Sequence, residues 1–88
     1  MKKLFLVIDQ KGLAKAYPSF KEAKDKFDQM CAAHIKVMSD NPSFGYKRIK
    51  SDVDGSQVLQ FRSWHRSIVN GKPRFFNEIF SMQSIVLE

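Results

Sequence analysis

The 88 residues carry 43% hydrophobic and 27% charged side chains, a balance that supports one small folded core over 1–88 and excludes both a disordered chain and a two-domain one. A single cysteine, Cys31, and two distant histidines, His34 and His65, exclude an internal disulfide and a closed tetrahedral metal site, and fit a reducing, cytoplasmic setting. Fifteen Lys and Arg against nine Asp and Glu give +6, and the excess is uneven: residues 55–77 hold Arg62, Arg66, Lys72 and Arg74 with no carboxylate, a field that attracts phosphate, acidic protein surface or anionic lipid.

The chain opens with two lysines before Leu4–Ile8, which resembles a secretory leader. The apolar run is only five residues long and is cut by Asp9, Gln10 and Lys11, so it reads as a strand. No run approaches membrane-spanning length, and no membrane role is expected. DQKG (9–12) then places Asp at the start of a turn and Gly three residues later. That chemistry suits a type I turn followed by a left-handed glycine, which folds LAKAY (13–17) back as a second strand.

Ser19 followed by Glu22 is a capping box, and it opens a helix of about five turns. Phe20, Ala23, Phe27, Met30, Cys31, His34, Ile35 and Met38 recur at spacings of three and four and form its apolar face. Lys21/Asp25, Glu22/Lys26 and Lys24/Asp28 pair along the exposed side. Pro42 in SDNP ends the helix, since the residue before a proline is pushed out of helical geometry.

The second half reads as a meander of strands over 43–51, 56–69 and 72–87, the last admitting a break near Ser81–Ser84. Asn70-Gly71 marks a two-residue hairpin that pairs Val69 with Lys72, Arg66 with Phe75, Trp64 with Asn77 and Arg62 with Ile79. DVDG (52–55) repeats the first turn's pattern. As a three-residue loop it pairs Asp52 with Ser56, Arg48 with Gln60, Tyr46 with Arg62 and Phe44 with Trp64. The expected fold is α+β, in the order ββαβββ, with one long helix packed on one face of a mostly antiparallel sheet.

Opposed residues share a face, so these registers sort the side chains. Phe44, Tyr46, Arg48, Lys50, Val58, Arg62, Trp64, Arg66, Phe75 and Ile79 fall on one side. Lys47, Ile49, Leu59, Phe61, His65, Phe76, Glu78, Phe80 and Met82 fall on the other, whose compact apolar cluster assigns it to the helix. The outward face then interleaves aromatic rings with guanidinium groups, the combination that holds unstacked bases.

The reading that follows is a noncatalytic binding module for single-stranded nucleic acid. Arg48, Arg62, Arg66, Lys72 and Arg74 would meet phosphates, and Tyr46, Trp64 and Phe75 would stack. The alternative is a protein-binding inhibitor or effector, of the phage or mobile-element accessory type, whose same face docks on an acidic partner or on a second copy as a homodimer. No phosphate loop, zinc spacing or nucleophile elbow is present, and no cofactor is implied. The nearest catalytic set is Ser63, His65 and Glu78, which reads as a hydrogen-bonded trio inside the sheet–helix interface rather than as an active site. Cys31 reads as a small core residue.

Overall fold

The computed structural model describes residues 2–53 and 56–87. Five antiparallel strands and one helix follow the expected order: β1 (Lys2–Ile8), β2 (Ala14–Tyr17), α1 (Phe20–Met38), β3 (Gly45–Val53), β4 (Ser56–Val69) and β5 (Lys72–Leu87). The sheet runs β2-β1-β5-β4-β3. No helix of the described residues is long and apolar enough to cross a membrane.

The first turn forms as its sequence dictates. Asp9 O accepts from Gly12 N at 3.0 Å, and Asp9 Oδ1 accepts from Lys11 N and Leu13 N. Gly12 takes φ +83°, where a side chain would be strained. Ser19 caps α1 by accepting from Glu22 N at 3.2 Å. Of the three helical charge pairs expected, Lys24–Asp28 closes at 2.7 Å. Asn70 and Gly71 both take positive φ, 53° and 77°, and the β4–β5 register is the one expected from that turn. β5 runs without a break through Ser81–Ser84.

The core lies between α1 and the sheet, from Val7, Ala23, Phe27, Cys31, Phe61, Phe80 and Met82. Ala23, Phe27 and Cys31 repeat at four-residue spacing along one helical stripe, so a single face of α1 is sealed. Burial pushes the Cys31 thiol up to about 11; Arg48 nearby acts in the opposite direction and is outweighed. A small, inert core cysteine is the outcome.

The β3–β4 register corrects the expected one by a single residue. Val53 pairs with Ser56, Arg48 with Phe61, Lys47 with Arg62, Tyr46 with Ser63 and Gly45 with Trp64. The conformation of the DVDG turn itself involves Asp54 and Gly55, which lie outside the described residues. Because side chains alternate, the shift reverses the whole strand. Phe44, Tyr46, Arg48 and Lys50 go to the helix side, and Lys47 and Ile49 go outward. Packing explains the choice. The Tyr46 ring stacks on Phe61 at 5.3 Å, Phe44 meets His34 edge-on at 5.7 Å, and Arg48 reaches Asp28 of the helix at 3.3 Å. The expected register would have put Lys47 and Ile49 in their place.

β4 and β5 outrun the rest of the sheet, and the molecule measures 53 × 22 × 20 Å. β3 begins at the pairing of Gly45 with Trp64, and β1 leaves β5 at the pairing of Ile8 with Ser81. The hairpin beyond is a two-stranded arm in which no residue from Arg66 to Asn77 is buried.

Candidate partner-binding face

The outward face is the one turned away from α1, and Trp64 stands near its middle. A Cβ placed on Gly45 would lie 2.6 Å from Trp64 Nε1 and 2.7 Å from Cε2, so the indole rests directly on the glycine backbone. Only glycine at that position leaves room for the ring, and Trp64 remains 43% exposed. The indole is thus backed by the β3 main chain on one side while part of it stays open to a partner.

Cations surround the indole. Lys47 and Arg62 sit directly opposite each other across β3 and β4, an arrangement that repels. Arg66 lies two residues along β4 from Trp64, opposite Phe75, which is 78% exposed. Among the described strand residues, no outward position of the sheet is Asp or Glu. Two shallow grooves of about 290 Å³ each flank the indole, one lined by Lys47, Arg62, Asn77, Ile79 and, from the helix-side row, Glu78, and the other by Arg66, Phe75 and Asn77. Toward β1 the face carries Leu4, Leu6, Ile8, Val58 and Ile85, all partly exposed, with Gln60, Ser81 and Gln83 among them.

Of the residues expected from sequence to form the site, the structure brings Arg62, Trp64, Arg66 and Phe75 together on this face. Tyr46 and Arg48 lie on the helix side and do not join them; the one-residue register shift removes both. Lys72 and Arg74 stand on the helix-side parity of the exposed arm. Sequence reasoning missed Lys47 and Gly45. A glycine at the start of a strand facing a tryptophan was the available cue.

The arm's root is fixed by the loop after α1. Ser43 Oγ accepts from Arg66 N at 2.8 Å and donates to Asn41 Oδ1 at 2.6 Å, while Asn41 Nδ2 donates to Arg66 O at 3.2 Å. Ser43 thereby continues the β3 edge by one rung with a side chain in place of a backbone.

On the opposite side of the sheet, Ser63 and Glu78 pair across β4 and β5, as expected, but the histidine between them is His34 of the helix rather than His65. His34 Nε2 lies 3.0 Å from Ser63 Oγ and 3.1 Å from Glu78 Oε2. In a hydrolytic triad the two ring nitrogens serve different partners. Here one nitrogen faces both, and Glu78 Oε2 lies at ion-pair distance from it without a well-formed hydrogen bond. Ser63 is 2% exposed, and Phe44, Phe61 and Phe80 enclose the imidazole. His65 instead stacks on Phe76 at 5.0 Å. The trio joins the helix to the sheet. Among the described residues, no cluster of His, Cys, Asp and Glu could hold a metal ion.

Comparison with protein families, curated proteins and solved structures gives no match.

Proposed function

We propose that the chain is a noncatalytic binding module whose outward sheet face docks on an acidic surface of a partner protein. The observation that carries this is the cross-strand pairing of Lys47 with Arg62 beside the Trp64 indole, on a face where no described strand residue at an outward position is Asp or Glu. Like charges held opposite one another weaken a sheet unless something compensates them. A carboxylate-bearing partner does so. The aliphatic strip toward β1 favours protein over nucleic acid, because Leu4, Leu6, Val58 and Ile85 neither stack on bases nor reach phosphates. They contribute affinity only when a partner excludes water from them. A Trp and Arg centre with a charged rim is also the usual composition of a protein-binding hot spot.

Single-stranded nucleic acid is the second reading, favoured by the arm, which carries Arg66 and the exposed Phe75 on one side and Lys72 and Arg74 on the other, with no acid from 66 to 77. With Tyr46 on the helix side, Trp64 and Phe75 are the stacking rings left to it. Capture from nuclease-treated and untreated lysate separates the two. A protein retained after nuclease treatment by the wild type, and lost with Trp64→Ala, supports the protein reading. A partner lost on nuclease treatment, with labelled oligonucleotide bound at low salt, supports nucleic acid instead.

A further inference from the structure

We infer that the β4–β5 arm is the second half of the docking face, and that its outward row seats in an apolar, acid-rimmed cleft of the same partner protein. The partner is the one proposed above for the outward face, and the arm's part in binding it stands only if that reading does. The arm sorts its side chains by face. Its rungs pair Arg66 with Phe75, Ser67 with Arg74, Ile68 with Pro73 and Val69 with Lys72. Opposed residues share a side of the ribbon, so Arg66, Ile68, Pro73 and Phe75 fall on the side of Trp64, and Ser67, Val69, Lys72 and Arg74 fall on the helix side. Arg66 apart, the outward row is apolar. Phe75 and Ile68 are 78% and 75% exposed in it, whereas Phe76, the aromatic of the reverse row, stacks on His65 and is 37% exposed.

Continuity with the sheet face selects the occupant first. The rungs Trp64–Asn77, Arg66–Phe75 and Ile68–Pro73 follow one another on one side at steps of about 7 Å, so a partner lying on the indole meets the arm's row along the same line. The groove of about 290 Å³ beside the indole already has Arg66 and Phe75 in its wall, and it joins the two surfaces. From Trp64 to Ile68 the row spans about 13 Å at about 3.3 Å per residue, which sets the least length of the cleft.

Charge and chemistry select it again. From Arg66 to Asn77 there is no Asp or Glu, and the three cations stand on both sides of the ribbon. A ribbon sunk between two acidic rims meets carboxylates on both sides, with the long stems of Lys72 and Arg74 reaching outward along the reverse. Single-stranded nucleic acid asks for rings and cations along one groove. Here Lys72 and Arg74 turn away from Phe75, and Ile68 and Pro73, its neighbours in the outward row, have no π-face for a base. Those two contribute affinity only where a partner excludes water from them.

Photo-cross-linking of the full chain in nuclease-treated and untreated lysate of its source cells tests this, with benzoylphenylalanine placed singly at Ile68, Phe75, Asn77 or Lys15. Asn77 lies opposite Trp64 on the sheet face, and Lys15 lies on the helix-side parity of β2. One protein adduct of the same mass is expected from 68, 75 and 77 in both lysates, and none from 15. In a chain labelled at 77, Ile68→Ser together with Phe75→Ser should lower that adduct about tenfold or more and leave the melting temperature in place, since both side chains are exposed. An adduct at 77 without one at both 68 and 75, or one that the double substitution leaves unchanged, overturns the arm's role and leaves the face reading standing. An arm adduct also overturns it when it is lost on nuclease treatment, has twice the chain's own mass, has no counterpart of equal mass at 77, or is matched by equal labelling at 15. No adduct at 68, 75 or 77 overturns both readings together.

Discussion

Trp64 lies on Gly45 so closely that a single added methyl group would enter its ring. The contact backs an exposed tryptophan with the β3 main chain, with Arg62 and Arg66 two residues away on either side. Gly45→Ala must displace the indole, since the clash is with the ring and not with the end of a flexible chain. The expected result is a folded variant with altered Trp64 emission and partner affinity reduced about tenfold. Fluorescence and a binding isotherm check it together.

Trp64→Ala and Phe61→Ala should behave in opposite ways. Phe61 is completely buried beneath α1, and its loss should cost about 3–5 kcal/mol, enough to unfold most of a small domain. Trp64 faces outward, so its loss should cost about 1 kcal/mol of stability and about 2 kcal/mol or more of binding. Thermal melting of the two variants distinguishes them; a Trp64→Ala protein that fails to melt cooperatively would mean the indole belongs to the core.

The parts of the fold that were legible in the sequence are those fixed by local chemistry. Ser19, the helical stripe, Gly12 and Asn70-Gly71 each constrain a few neighbouring residues, and each element formed where they indicated. The β3–β4 register was not legible, because DVDG resembles DQKG and both alternating sets of β3 contain large apolar residues. Tyr46 stacking on Phe61 and Arg48 reaching Asp28 decided between them, and both contacts are tertiary. The same holds for His34 replacing His65 beside Ser63: how far α1 slides along the sheet is written in no short stretch. Half of the candidate site survived because Arg62, Trp64, Arg66 and Phe75 lie on the hairpin whose turn is unambiguous.

Cys31 gives the fold a dependence on alkaline pH. Its folded pKa, about 11, stands above the ordinary thiol value of 9.0 because burial disfavours the thiolate. Below about pH 9 both folded and unfolded chains keep the proton, and the thiol adds no slope. Between about 9 and 11 the unfolded chain releases it first, so stability should fall by at most about 1.4 kcal/mol per pH unit. Urea melts of wild type and Cys31→Ala across this range isolate the term, since the alanine variant loses the thiol's share of the slope.

Removing the histidine of the buried trio should affect folding rather than chemistry. His34→Ala leaves a cavity among Phe44, Phe61 and Phe80 and takes the partner from Ser63 and Glu78, at a cost of about 2–4 kcal/mol. Wild type should hydrolyse no activated ester faster than Ser63→Ala does. A rate that depends on Ser63 would show that the trio is reached by substrate.

The outward-face assignment is tested most directly by two charge reversals placed on opposite sides of the same pair of strands. Arg62→Glu alters the cation opposite Lys47 and beside Trp64, whereas Arg48→Glu alters the cation held by Asp28 on the helix side. Affinity for the captured protein partner, measured for both variants after each is confirmed folded by circular dichroism, should fall at least tenfold for Arg62→Glu. Arg48→Glu should bind within about twofold of wild type. Loss of binding in Arg48→Glu with Arg62→Glu unaffected would contradict the account and place the docking surface on the other side of the sheet.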